Sequence, residues 1–105
     1  MNSKRKGADG EREVAAYLRE HGIDAHRGQQ YKGGADSPDV VSDLNGWHIE
    51  VKRVEHLNID DALNQSIRDA GENQKPCVFH RRNRTPWKVT MLLDDFMEMV
   101  KYGQR

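Results

Sequence analysis

Two acidic residues and a lysine in the middle of the chain have the types and the spacing of a hydrolytic metal site. They are Asp39, Glu50 and Lys52, within the segment SPDVVSDLNGWHIEVKR. Alternate side chains of a β-strand share a face, so Glu50 and Lys52 should lie on one face about 7 Å apart. Carboxylates on one face repel each other unless a cation or a proton lies between them, and Mg²⁺ commonly takes one or two carboxylates. The segment is therefore either a magnesium site or the solvated face of an ordinary strand.

The position of Asp39 relative to the other two residues depends on how the chain turns between them. The pattern predicts strands at DVVS and WHIEVKR, joined as a hairpin by the turn DLNG. A four-residue loop would place Asp39 opposite Glu50, and a two-residue loop would place it opposite Lys52. Either even-length loop puts the three side chains on the same face, whereas an odd-length loop turns Asp39 away.

A third carboxylate, Glu11, belongs to the apolar stripe of a predicted helix. It lies three, four and seven residues before Val14, Ala15 and Leu18, which is the spacing of one helical face. A glutamate that faces a sheet costs free energy unless a partner lies there. The convergence of three acids and a lysine favours the metal site over the solvated strand.

The rest of the pattern predicts eight elements in the order α–β–β–β–α–β–β–α. Helices are expected at residues 11–20, from Asn58 to Gly71 with Asn58 and Asp61 resembling a capping box, and from about Asp94. Strands are expected at residues 24–27, DVVS, WHIEVKR, PCVFH and WKVTML. This order predicts an α/β fold with a mixed central sheet flanked by helices, in one domain that spans residues 1–105.

Composition indicates a soluble intracellular protein. Hydrophobic residues make up 35% of the chain and charged residues 32%, which is polar without implying disorder. One cysteine, Cys77, fits a reducing compartment, and no apolar run is long enough to span a bilayer. The five histidines show no pair at a zinc-ligand spacing, so we interpret them as surface or incidental groups, with His48 half-exposed on its strand.

The formal net charge is zero, yet the basic residues are clustered. No acid occurs between Glu72 and Asp94, where five lysines and arginines fall, and SKRK forms a second cluster near the N-terminus. Local patches rather than the total charge decide phosphate binding, although solvated turns show the same composition. Candidate DNA-binding residues are Lys4, Arg5, Lys6, Arg27, Lys32, Arg53, Arg81, Arg82 and Arg84.

These motifs resemble a known family. Pro38-Asp39 followed by Glu50-Val51-Lys52 resembles the PD-(D/E)xK nuclease signature. RKGADGERE at residues 5–13 resembles the N-terminal helix of archaeal and phage Holliday junction resolvases, in which the first glutamate of ERE, here Glu11, belongs to the active site. KPCVFHRRNRTPWKVTMLLDDF is similar to the closing strands and helix of small phage-type members, so the resemblance covers nearly the whole chain.

The resemblance implies a restriction-endonuclease-like core and metal-dependent hydrolysis of DNA at four-way junctions. Asp39 and Glu50 would hold Mg²⁺, for which Mn²⁺ can substitute, with Glu11 binding directly or through water and the Val51 carbonyl as a further ligand. Lys52 would orient or help to deprotonate the attacking water and stabilise the transition state. Gln65 would position the water or a phosphate.

The resemblance also implies a homodimer, with no membrane partner, in the cytoplasm, or the host cytoplasm for a phage-encoded protein. The last helix carries an apolar stripe of Leu93, Phe96, Met97 and Val100, which fits either a dimer interface or a core helix. Two other functions remain open: a PD-(D/E)xK nuclease with nicking, flap or restriction-like activity, and a catalytically silent nucleic-acid-binding module.

Overall fold

A computed structural model describes residues 3–28 and 39–103, with side chains from Lys6 onward in the first helix. Lys32 and Pro38, both singled out from the sequence, lie outside the described residues, as do the side chains of Lys4 and Arg5. The elements are α1 (Ser3–Glu20), β1 (Ala25–Arg27), β2 (Val40–Ser42), β3 (Trp47–Arg53), α2 (Ile59–Asp69), β4 (Lys75–Arg81), β5 (Lys88–Met91) and α3 (Leu93–Gly103). This order and the α/β class confirm the sequence-based prediction. None of the helices in the described ranges has the length and apolar character needed to cross a bilayer.

The main sheet is mixed and has the strand order β3-β4-β5. β3 pairs in parallel with β4, with Glu50 opposite Val78, and β4 pairs antiparallel with β5. A parallel pair needs a crossover connection, which α2 supplies. Asn58 caps α2 as predicted, because its Oδ1 accepts a hydrogen bond from the Asp61 N–H at 3.1 Å.

A buried serine fixes α2 against the two parallel strands. Ser66 is completely buried, and its hydroxyl lies 3.2 Å from both the His48 and the Cys77 carbonyl oxygens. One hydroxyl proton is therefore shared between carbonyls of β3 and β4. These hydrogen bonds fix the distance between α2 and β3 close to the β3 side chains that face the helix.

The predicted hairpin between the second and third strands is wrong. β2 pairs antiparallel with β1, as a separate two-stranded sheet, and the Asp43 N–H extends that pairing to the Asp24 carbonyl at 2.9 Å. Within the described residues, the strand pairings give β3 only β4 as a neighbour. The chain turns at Gly46, whose φ of 87° favours glycine, and this turn leads into the parallel sheet instead of back along β2.

Helix α1 packs its apolar stripe on the sheet and starts at Ser3, not at Glu11 as the sequence indicated. Val14, Ala15 and Leu18 are buried in one core cluster with residues of β3. Two glycines weaken the helix signal in the first half of α1. One of them, Gly10, allows close packing, because a Cβ there would lie 2.9 Å from the Cβ of Arg53 on β3.

Candidate active site

A hydrogen bond to the backbone of β3 holds Asp39 beside Glu50, although β2, which begins just after Asp39, does not pair with β3. Oδ2 of Asp39 accepts from the Val51 N–H at 2.8 Å. Glu50, one residue earlier on β3, is 2% exposed. This side-chain hydrogen bond, rather than the predicted strand pairing, therefore holds Asp39 near Glu50.

Glu11 approaches the same place from α1. Its side chain is buried, and its Oε1 accepts a hydrogen bond from Nε of Arg27 at 2.9 Å. The ion pair offsets the cost of burying this carboxylate. It also means that Arg27, a candidate DNA-binding residue, has its guanidinium directed to a carboxylate of the protein.

The electrostatics of Asp39 show that the three carboxylates are close. Burial raises the pKa of Asp39 to about 7, and the nearby charges of Glu50 and, to a smaller extent, Glu11 add to this rise. The hydrogen bond from Val51 N–H acts in the opposite direction. The Asp39 carboxyl therefore holds a proton near neutral pH where an ordinary aspartate would not.

The donor set fits a divalent cation. Oε2 of Glu50 is fully buried and has no N–H or hydroxyl partner in the described part of the chain, although the Asp39 carboxyl, when it is protonated, forms a hydrogen bond with the Glu50 carboxylate. A buried carboxylate oxygen without such a donor is costly, and burial together with the charge of Glu50 keeps a proton on the adjoining Asp39 carboxyl. A cation between the two carboxyl groups would replace that proton and bind the open oxygen. Oxygen ligands of this kind suit Mg²⁺ or Mn²⁺.

His48 is buried, which contradicts its interpretation as a half-exposed strand residue. It is 4% exposed, and its Nε2 lies 3.2 Å from Oε1 of Glu50. That hydrogen bond is the main reason why the pKa of His48 is raised. The side chains of His48, Glu50 and Asp69 also bring their ligand atoms within 4.8 Å of one another.

Glu50 therefore has a different neighbour for each carboxylate oxygen. Oε1 contacts His48, whereas Oε2 meets no N–H or hydroxyl group of the described residues and is available to a cation. The grouping with His48 and Asp69 contains neither Asp39 nor Glu11. The raised pKa of Asp39 and the buried Glu50 oxygen show that negative charge is concentrated between these two carboxyl groups.

The alternation of polar and apolar residues along β3 does not show that His48 is buried. α2 covers the face that carries His48 and Glu50, and the opposite face lies in the core, so four consecutive residues of β3 are buried. Parallel strands covered on both faces are buried almost continuously. The signal that was available is the helix predicted between two strands, which is typical of a parallel crossover.

Lys52 and Gln65 line one depression next to this centre. Its volume is about 610 Å³, and it lies between the end of β3 and the exposed side of α2. Lys52 continues the face of Glu50 along β3, and Gln65 precedes the buried Ser66 on α2. The structure thus places the candidate lysine and the candidate amide in one solvent-accessible space.

Most of the candidate DNA-binding cations around α1 contact carboxylates of the protein. Glu13 lies 2.9 Å from Arg81 and 3.1 Å from Nε of Arg53, the latter without hydrogen-bond geometry. Lys6 lies 3.6 Å from Glu55. Arg82 and Arg84 are exposed in the β4–β5 turn, where Arg84 has a φ of 64°.

Comparison with known proteins adds evidence that is independent of this geometry. Residues 2–98 match the sequence profile of the family described as archaeal Holliday junction resolvase (Hjc). A search of curated proteins gave no match. The chain is similar in fold to the 1.6 Å structure of Archaeoglobus fulgidus Hjc, a Holliday junction resolvase from an archaeal hyperthermophile. The TM-score is 0.58 at 23% identity, over 77% of this chain and 72% of that one. Because the profile covers nearly the whole sequence, this chain belongs to the archaeal Holliday junction resolvase family.

Proposed function

We propose that the chain is a structure-selective endonuclease that cuts branched DNA at four-way junctions by metal-dependent hydrolysis. Family membership supports the reaction class and the kind of substrate. The observation that carries the location of the centre is the buried Oε2 of Glu50, which has no N–H or hydroxyl partner in the described residues and belongs to the carboxylate that helps to raise the pKa of Asp39. We propose Mg²⁺ as the ion, with Mn²⁺ as a substitute, since both prefer oxygen ligands.

In this proposal the carboxylates form the metal site. Asp39 and Glu50 hold the ion, the carbonyl of Val51 is a further ligand, and Glu11 binds it directly or through water. A bound divalent cation supplies Lewis-acid chemistry, acidifying water and neutralising charge on the phosphate. The Arg27–Glu11 ion pair at 2.9 Å orients the Glu11 carboxylate.

Lys52 and Gln65 act on the substrate side of the centre. Lys52 donates to a phosphate oxygen, where negative charge grows in the transition state, and orients the attacking water. Gln65 positions that water or a neighbouring phosphate with its amide. The shared depression that holds both side chains supports these roles, because a strand could reach them from solvent.

We further propose that the protein acts as a homodimer. α3 has no buried residue, and its exposed side chains include Leu93, Phe96 and Met99. Next to it lies an apolar depression of about 320 Å³ that Trp47, Phe79 and Met99 help to line. A second copy would cover this face and would supply the second active site that paired cleavage of a symmetric junction needs.

The test is cleavage of a labelled four-way junction next to a linear duplex made from the same arms, with Mg²⁺ or Mn²⁺. We expect paired symmetric cuts in the junction alone, lost in Glu50→Ala. Cutting of both substrates by the wild type would replace junction selectivity with a general nuclease activity. Binding without any cutting in either metal would contradict the hydrolytic centre and favour a binding module.

A further inference from the structure

Two depressions on the side of the molecule that carries Lys52 join into one groove. The first, of about 610 Å³, lies along α2 and contains Lys52, Gln65 and Arg68. The second, of about 630 Å³, lies against the β4–β5 turn and contains His80 and Lys88. They share the lining residues Val54, His56, Leu57 and Asn58, which form the connection between β3 and α2. We call the joined depressions the basic groove.

Three cations of the basic groove have no carboxylate partner among the described residues, whereas Arg81, which also lines it, contacts Glu13. Lys52, Arg68 and Lys88 take part in no ion pair within the described ranges, whereas Lys6, Arg27, Arg53 and Arg81 each have one. A cation that already contacts a carboxylate of its own protein has less to offer a phosphate. The groove is thus the part of the described surface where positive charge remains available next to the candidate active site.

The two carboxylates of the basic groove do not cancel this charge. The carboxylate of Glu55 accepts a hydrogen bond from the Asn83 N–H at 2.7 Å and lies 3.6 Å from Lys6. Asp61 is exposed in the first turn of α2, where it adds one negative charge. The N-terminus of α2 opens into the same groove through Asn58, and the positive end of the helix dipole adds to the field of the cations.

We infer that the basic groove binds the phosphodiester backbone of the DNA strand next to the cleaved phosphate, with Arg68 and Lys88 as the main contacts on either side of the β3–α2 connection. The strand would run from Lys52, past His56 and Asn58, to Lys88. This inference rests on the proposed function for its choice of ligand. It assigns phosphate binding to Arg68, which lies outside both basic clusters of the sequence, and to Lys88, the first residue of β5.

The test is binding of a four-way junction and of a linear duplex by the full chain at several salt concentrations, with EDTA to prevent cleavage. The variants are Arg68→Gln, Lys88→Gln and Asp61→Asn, with Lys101→Gln as a control that removes an exposed cation of α3 outside the groove. Each phosphate contact contributes about 0.9 to the slope of log K against log salt. Arg68→Gln and Lys88→Gln should each lower that slope by about 1, and the loss of affinity should grow about 3-fold between about 200 and about 50 mM salt.

The remaining two variants test whether the affinity for DNA follows the charge of the groove. Asp61→Asn should strengthen binding, because it removes a carboxylate that repels the backbone, and Lys101→Gln should bind like the wild type. Wild-type slope and affinity in both Arg68→Gln and Lys88→Gln would overturn the inference, even if the wild type cuts junctions. Groove-dependent binding by a wild type that cuts no DNA would support the groove and contradict the nuclease instead. A wild type that binds neither DNA would overturn the groove outright.

Discussion

At the scale of single residues, Asp39 gives the candidate centre a measurable dependence on pH. Its pKa is raised from 3.8 to about 7, so in the absence of metal the folded protein retains a proton that the unfolded chain releases. The stability that comes from this proton is complete below pH 3.8 and is lost as the pH rises through 7.

Asp39→Asn should remove this loss. Asparagine keeps an oxygen that accepts from the Val51 N–H but carries no charge beside Glu50. We expect the variant to exceed the wild type at pH 8 by on the order of 2 kcal/mol in free energy of unfolding, after allowance for partial exposure, and to match it near pH 4. Urea unfolding in EDTA at both pH values measures the difference. If the difference in free energy of unfolding between the variant and the wild type did not depend on pH, the pKa of Asp39 would not be raised in the folded protein.

His48 should affect stability and metal use through Glu50. His48→Leu would leave Oε1 of a 2%-exposed carboxylate without its present partner, at a cost of about 1–3 kcal/mol in free energy of unfolding. His48→Gln offers an amide N–H near the position of Nε2 and should recover most of this loss. The leucine variant should also need more Mg²⁺ for half-maximal cleavage than the glutamine variant. If the two variants had the same stability and the same Mg²⁺ requirement, the His48–Glu50 hydrogen bond would not position the Glu50 carboxylate.

Local sequence patterns predicted the proximity of the three carboxylates better than they predicted the neighbours of these residues. The helical spacing of Glu11 and the nuclease signature at Asp39 and Glu50 depend on local patterns, which a single sequence displays. The ion pair of Glu11 with Arg27 joins residues sixteen positions apart, and its formation depends on where β1 lies against α1. The burial of His48 likewise depends on α2 covering β3, which no local pattern records.

At the scale of elements, the contact between α1 and β3 decides where Glu11 lies. Gly10 precedes Glu11 at the point of closest approach, and a Cβ there would meet Arg53 Cβ at 2.9 Å and Val51 Cγ1 at 3.6 Å. The first of these atoms is fixed to the backbone of β3 and cannot move like the end of a long side chain. α1 would therefore have to shift, and Glu11 would shift with it.

Gly10→Ala and Gly7→Ala form a matched pair on the same helix. A Cβ at Gly7 has no neighbour within 4 Å, so Gly7→Ala should raise the free energy of unfolding by about 0.5–1 kcal/mol through better helix propensity. Gly10→Ala should lose stability despite the same gain, and its cleavage rate should fall because Glu11 is displaced. Thermal unfolding and junction cleavage measure both effects. If both substitutions stabilise the protein and leave its activity unchanged, the packing of α1 on β3 does not set the site.

The sequence predicted the elements in the right order but not all of their pairings. Propensity and capping marked α2, whose Asn58 cap is present as predicted. The short turn after Asp43 suggested a hairpin, yet β3 pairs with β4, which α2 brings alongside it. A choice between a local and a distant strand partner depends on which arrangement buries more apolar surface, and that sum includes residues far along the chain.

At the scale of the whole molecule, the exposed apolar face of α3 and β5 is the reason to predict a dimer. Phe96 is 46% exposed, Leu93 71% and Val89 51%, and these side chains lie close to the start of α3 or on β5. Apolar surface of this kind is usually covered by a partner. We expect the wild type to sediment as a dimer at micromolar concentration.

Phe96→Glu should convert that dimer to a monomer, because two like charges would be brought together across a two-fold interface. Tyr17→Glu is the control, since Tyr17 is 51% exposed on α1 and lies outside the α3–β5 face. Analytical ultracentrifugation gives the mass, and junction cleavage gives the pattern of cuts. A monomeric Phe96→Glu variant should leave single nicks where the wild type makes paired cuts, because each active site then meets the junction alone. A wild type that is already monomeric, or a monomeric variant that still makes paired cuts, would contradict the two-fold arrangement.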